Sequence, residues 1–130
     1  MKTKPLITAA ALFYATVGLT LSFFPQETVA YLQITPSIAS IFAMKLMSAL
    51  YLAFGIMNWT VRGSLIGGIY NRPISIGNLM HFAVGAIALV KTVFLGNQKA
   101  AMIFLVLTII YLGFAIMFGI VFISDPTKKA

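Results

Sequence analysis

Apolar residues come in four long blocks separated by short polar joints: about Leu6 to Phe24, Ser37 to Trp59, Ile74 to Phe94 and Ala100 to Ile123. Unbroken runs of this kind are the pattern of membrane spans. Each is near the roughly 20 residues that carry a helix across about 30 Å of hydrocarbon. Proline marks the joints, at Pro5, Pro25, Pro36, Pro73 and Pro126, and none falls inside a block. Proline suits a first helical turn or a stop. A helix satisfies its own backbone polar groups inside lipid. The pattern therefore predicts an all-α polytopic membrane protein, one transmembrane domain over residues 1–130. Its four helices would be joined up-down-up-down by short connections into a bundle.

Composition agrees. The chain is 61% hydrophobic and 8% charged over 130 residues, too little polar surface for a water-soluble domain of this size. It has no cysteine, which excludes disulfides, thiolate catalysis and cysteine metal sites. The net charge is +7, but the basic residues sit at the edges of the apolar blocks. That distribution speaks for membrane lipids as partners and against nucleic acid. Lys2 and Lys4 give the first block the look of a secretory leader. Its apolar run is too long for one, and Phe23-Phe24-Pro25-Gln26 is a poor cleavage context, so a retained span is expected. Arg62 and Arg72 lie in the second joint, Lys128 and Lys129 after the last block, while the first joint carries only Glu27. The positive-inside rule then puts both termini in the cytoplasm. The outward stretch Glu27 to Ile34 is compatible with a short interfacial helix or with an ordinary loop.

One internal echo stands out. Tyr51-Leu52-Ala53-Phe54-Gly55-Ile56-Met57 in the second block matches Tyr111-Leu112-Gly113-Phe114-Ala115-Ile116-Met117 in the fourth. The first and third blocks offer only Val17-Gly18 against Val84-Gly85. Together these are compatible with a duplicated helical hairpin. At 100° per residue, small side chains line one face of three blocks. They are Thr8, Ala11, Ala15, Gly18 and Ser22; then Gly77, Asn78, His81, Gly85, Ala88 and Thr92; then Ala101, Thr108, Ala115 and Gly119 with Tyr111 beside them. Such faces let membrane helices approach closely. The second block instead gathers Lys45, Ser48, Tyr51, Gly55, Asn58 and Trp59 on one arc, opposite Phe42, Leu46, Leu50, Ala53, Phe54 and Met57.

Candidate chemistry concentrates from Asn58 to His81. This stretch holds both arginines, the only tryptophan and the only histidine. Arg62 and Arg72 flank a glycine-rich apolar joint that includes Gly67 and Gly68, and Pro73 opens the next helix. Two arginines and a helix N-terminus suit a phosphate or carboxylate, read either as a bound headgroup or small anion or as simple anchoring to anionic lipid. Asn58, Asn78 and His81 come at similar depth and could share hydrogen bonds across the second and third spans. Lys45 lies more than two turns inside its block. It either snorkels outward, with Glu27 as a surface partner, or turns inward toward Tyr111 or an anionic ligand. A lone histidine with no second histidine and no cysteine makes haem or a metal improbable, so no cofactor is expected.

Enzyme chemistry is poorly served. The only acids, Glu27 and Asp125, fall outside the blocks, and no acid–base pair or nucleophilic set can be assembled from them. A membrane carboxylate for proton exchange is also missing. The four spans, the glycine-rich faces and the run Met44-Lys45-Leu46-Met47-Ser48-Ala49-Leu50-Tyr51-Leu52-Ala53-Phe54-Gly55 resemble the small four-helix bacterial membrane proteins grouped as DoxX-like. The resemblance implies a bacterial inner-membrane protein and transfers no catalytic residues. The resulting expectation is a non-enzymatic accessory or scaffold component acting by helix packing, within a larger membrane-protein complex or as a homo-oligomer. The alternative is a binder or carrier of a lipid or small amphipathic anion between the second and third spans. A small oligomeric channel is a third option.

Overall fold

The structure, a computed structural model, describes residues 3–64, 71–95 and 98–124. Five helices follow one another: α1 Thr3–Phe23, α2 Pro25–Tyr31, α3 Ile38–Val61, α4 Arg72–Leu95 and α5 Gln98–Ile123. All but α2 are long and apolar enough to cross a membrane. Among the described residues there is no strand, and the chain is all-α. The long helices overrun the apolar blocks at several ends. α1 takes in Thr3 to Pro5, and α4 begins at Arg72, with Pro73 in its first turn. Polar residues and proline are compatible with first turns, so apolarity alone marks the helices too short.

The chain divides into two compact units, Pro5–Gly63 and one built on α4 and α5. In the first, α1 and α3 run antiparallel. A Cβ at Gly55 would sit 3.3 Å from the Ala15 amide nitrogen and 3.5 Å from the Ala11 carbonyl oxygen. One at Gly18 would meet Leu52, Cγ at 2.8 Å. Ala11, Ala15 and Gly18, three of the small residues read on one face of the first span, are therefore where α3 comes closest. Glycine at the contact lets two backbones approach where any larger residue would hold them apart.

α2 explains how α1 is joined to α3. Proline at its first position breaks the ladder at Phe24. The end is a Schellman motif. Gln33 takes a left-handed φ of 57°, its N–H donates to Ala30 O at 3.0 Å, and the Ile34 N–H donates to Val29 O at 3.0 Å. α2 packs on α3, with Pro25 and Val29 buried. Of the two readings open for this stretch, the helix is the one found. α3 then starts on a capping box: Ser37 Oγ accepts from the Ser40 N–H at 3.0 Å, and Ser40 Oγ accepts from the Ser37 N–H at 2.9 Å. This satisfies two of the donors a helix start leaves open.

In the second unit α4 and α5 are also antiparallel, Leu79 facing Gly119 while Gly85 faces Tyr111. Threonines inside the long helices satisfy their own hydroxyls by donating to the carbonyl four residues back, as Thr108 does to Phe104 O at 2.6 Å and Thr92 to Ala88 O at 2.9 Å. That is the cheapest solution in a medium without water.

Candidate functional site

Each hairpin closes on an aromatic clasp of its own, and the two are built alike. In the first, Tyr14 of α1 is wholly buried. It stands edge-on to Tyr51 (centroids 5.9 Å, planes at 64°) and tilted over Phe54 (5.3 Å, 37°). In the second, Phe82 of α4 is wholly buried. It stands edge-on to Tyr111 (5.2 Å, 76°) and stacked on Phe114 (4.6 Å, 18°), with Phe118 stacked beyond at 5.9 Å. Edge-on and offset arrangements are those the ring quadrupole favours. The Tyr-x-x-Phe of the internal echo is thus the receiving half of each clasp, since residues three apart share a helix face. The partner lies one residue away from the alignment of Val17-Gly18 with Val84-Gly85. That alignment would match Tyr14 to His81, whereas the rings match it to Phe82. Burial of a large ring, and not the position of a glycine, fixes the register.

The one-residue correction sets Phe13-Tyr14 against His81-Phe82. Where the first hairpin has Phe13, the second has a histidine, and it is put to use. His81 Nε2 and Tyr111 Oη share a hydrogen bond of 3.1 Å. The His81 ring also lies edge-on to Phe82 at 5.3 Å and tilted against Tyr111 at 5.5 Å. The sequence offered Tyr111 only as one of several possible partners of Lys45; the bond the structure shows for it is to His81. Gly85 makes room for the Tyr111 ring.

The other candidate residues are spread along α3 and α4. Lys45 is exposed on α3. Asn58 lies thirteen residues further on, roughly 20 Å along the axis at 1.5 Å per residue, so Lys45 and Asn58 do not form one site. On the polar arc of α3, Ser48, Gly55 and Asn58 are buried, while Lys45 and Trp59 stay exposed. Phe54, assigned to the opposite side, meets Tyr14 instead. Asn58 and Asn78 are both wholly buried. Each solves its amide the same way: Asn58 Nδ2 donates to Phe54 O and Asn78 Nδ2 to Ile74 O, both at 2.8 Å. Asn78 and His81, one turn apart, share a face of α4.

The two arginines each lie on a ring within their own unit. Arg62, at the end of α3, has its guanidinium 3.8 Å above the Trp59 ring and donates to the Trp59 carbonyl. Arg72, at the start of α4, has its guanidinium 5.2 Å from the Phe122 ring centre. These are cation–π distances. Of the glycine-rich joint flanked by Arg62 and Arg72, residues 65–70, with Gly67 and Gly68, lie outside the described residues, as do Lys2, Asp125, Lys128 and Lys129.

Sequence reasoning did not single out Ser75. It is buried in the first turns of α4, and its hydroxyl has no hydrogen-bond partner among the described residues. Nor did it find Tyr14 and Phe82, because one aromatic among many apolar neighbours carries no spacing signal. Among the described residues no three His, Cys, Asp or Glu side chains gather.

Four apolar helices of spanning length make this a multi-pass helical membrane protein. No protein family, curated protein or solved structure matches the chain.

Proposed function

We propose that the protein is a non-enzymatic accessory or scaffold component of a membrane assembly, in a bacterial inner membrane with both termini cytoplasmic. The observation that carries this reading is the outward half of the internal echo. The inward small residue of each copy, Gly55 or Ala115, is buried or half-buried. The other, Ala53 or Gly113, is exposed, and a Cβ at Gly113 would meet nothing within 4 Å. A glycine in mid-helix costs about 1 kcal/mol relative to alanine, and no contact within its own unit, among the described residues, gives Gly113 a packing reason for it. A partner helix approaching closely from outside would use it. Exposed Ile109, Leu112, Ile116 and Ile120 surround it. The test is native mass spectrometry from lipid nanodiscs drawn out of the native membrane. Wild type should carry a stable protein partner or a second copy, and Gly113→Leu should lose it while keeping its melting temperature. A wild-type protein found only as a monomer would overturn the reading.

A second reading is supported by the arginines. Stacking on a ring orients a guanidinium while leaving in-plane donors for a phosphate or carboxylate. Binding of an anionic headgroup or small amphipathic anion would then rest on charge-assisted bonds of about 1.5–3 kcal/mol each. Co-purified anionic lipid or metabolite, measured by mass spectrometry, should fall in Arg72→Lys as well as in the double alanine variant of Arg62 and Arg72. Unchanged content in the double variant leaves the arginines as surface anchors.

A further inference from the structure

The segment joining α1 to α3 has a depth, a shape and a surface that bear on one another. Its depth follows from its neighbours. α1 ends at Phe23, α3 begins at Ile38, and each is long enough to cross the hydrocarbon. Residues 24–37 therefore fall where acyl chains give way to headgroups. Its shape is fixed by Pro25 at the start of α2, by the Schellman end at Gln33 and by Val29 buried beneath it. Its surface is apolar and aromatic. Phe23, Phe24, Tyr31, Ile34 and Ile38 are all exposed, Phe23 to 73% and Ile38 to 92%. Between Lys4 and Lys45 the only charged residue is Glu27.

We propose that α2 and its flanks are an interfacial anchor, seated in the headgroup–acyl boundary of one leaflet. Pro25 and Val29 hold the segment to the protein, and Phe23, Phe24 and Tyr31 hold it to lipid. Tyrosine suits this level because its ring is apolar and its hydroxyl polar. Exposed Gln26 and Glu27 supply the wet side. Most interfacial helices add lysine or arginine and draw on anionic lipid; this one has neither, so a zwitterionic surface is enough. The inference concerns the lipid contacts of a single chain and stands apart from the assembly proposed above.

Trp59 is the only tryptophan, so Trp59→Phe gives a silent background that keeps a ring under Arg62. In that background Phe24→Trp, Tyr31→Trp and Gln26→Trp are made singly and placed in phosphatidylcholine vesicles. The lipids carry bromine either near the headgroup end or near the terminal methyl of the chain. Emission from Phe24→Trp and Tyr31→Trp should be blue-shifted and lose at least half its intensity to the shallow bromines, little to the deep ones and little to aqueous acrylamide. Gln26→Trp should be the most open to acrylamide. Replacing part of the phosphatidylcholine by phosphatidylglycerol should leave the pattern unchanged. Acrylamide quenching of Phe24→Trp and Tyr31→Trp equal to that of Gln26→Trp would put the segment in water. Stronger quenching by the deep bromines would put it in the core. Either result overturns the anchor, and Tyr31→Trp, at an exposed site, reads the outcome alone should Phe24→Trp not fold.

Discussion

Gly85 and Gly113 are both mid-helix glycines, and their surroundings are opposite. A Cβ at Gly85 would come within 2.7 Å of Tyr111 Cδ1 and closer still to Cε1. The ring is buried, bonded to His81 and edge-on to Phe82, so it cannot simply swing aside. Gly85→Ala should destabilise the protein by about 1–3 kcal/mol, the usual cost of overpacking. Gly113→Ala meets nothing and should be neutral or gain up to about 1 kcal/mol from helix propensity. Tyr111→Phe removes the bond to His81 and should cost about 0.6 kcal/mol, at most about 1.7, the range found for hydrogen bonds between membrane helices. Melting in mild detergent separates the three; equal shifts for the two glycines would contradict the contact. The need for small residues at 15, 18 and 85 was legible in the sequence, because glycine and alanine at helical spacing mark a close approach. What they approach was not legible. Tyr14, Leu52 and Tyr111 are ordinary members of apolar blocks, and only the fold selects them.

Among the described residues, α2 is the helix that closes on a left-handed one. Its last turn depends on Gln33 holding a left-handed φ, a conformation that costs an L-residue roughly 1–2 kcal/mol and glycine almost nothing. Gln33→Gly should therefore raise the melting temperature, by about 1 kcal/mol in stability, and Gln33→Val should lower it. A shift of the same sign for both would mean that the left-handed turn is not held in solution. The four long helices were plain from their blocks, since some twenty apolar residues in a row have few other uses. α2 was not, and the reason is its length. Seven residues make about two turns, too few for a periodicity to emerge, and Glu27 and two glutamines within 26–33 read equally well as a loop. The candidate residues divide in the same way. Asn58 and Asn78 were singled out by their similar depth near the ends of their blocks; that each amide donates to the carbonyl four residues back in its own helix was not readable there. The pairing of His81 with Tyr111 was not readable either, because it depends on a clasp register that the sequence echo misses by one residue.

For the whole molecule, orientation is the property on which the remaining expectations rest. Lysine and arginine crowd the ends and the second joint, while the first joint holds only Glu27. Reporter fusions after Ala130 and within Glu27 to Gln33 should accordingly label opposite faces of the membrane, and labelling of the same face would remove the four-span reading. The aromatic clasps have a consequence for how such a chain comes into being. Tyr14, Tyr51 and Phe54 all belong to the unit Pro5–Gly63, and Phe82, Tyr111, Phe114 and Phe118 all come later. A chain leaves the ribosome from its N-terminus, and contiguous units settle in that order. The first clasp is complete in sequence by Phe54, before any residue of the second clasp has been translated. The first two spans can therefore shut on each other beside the insertion machinery without waiting for the last two.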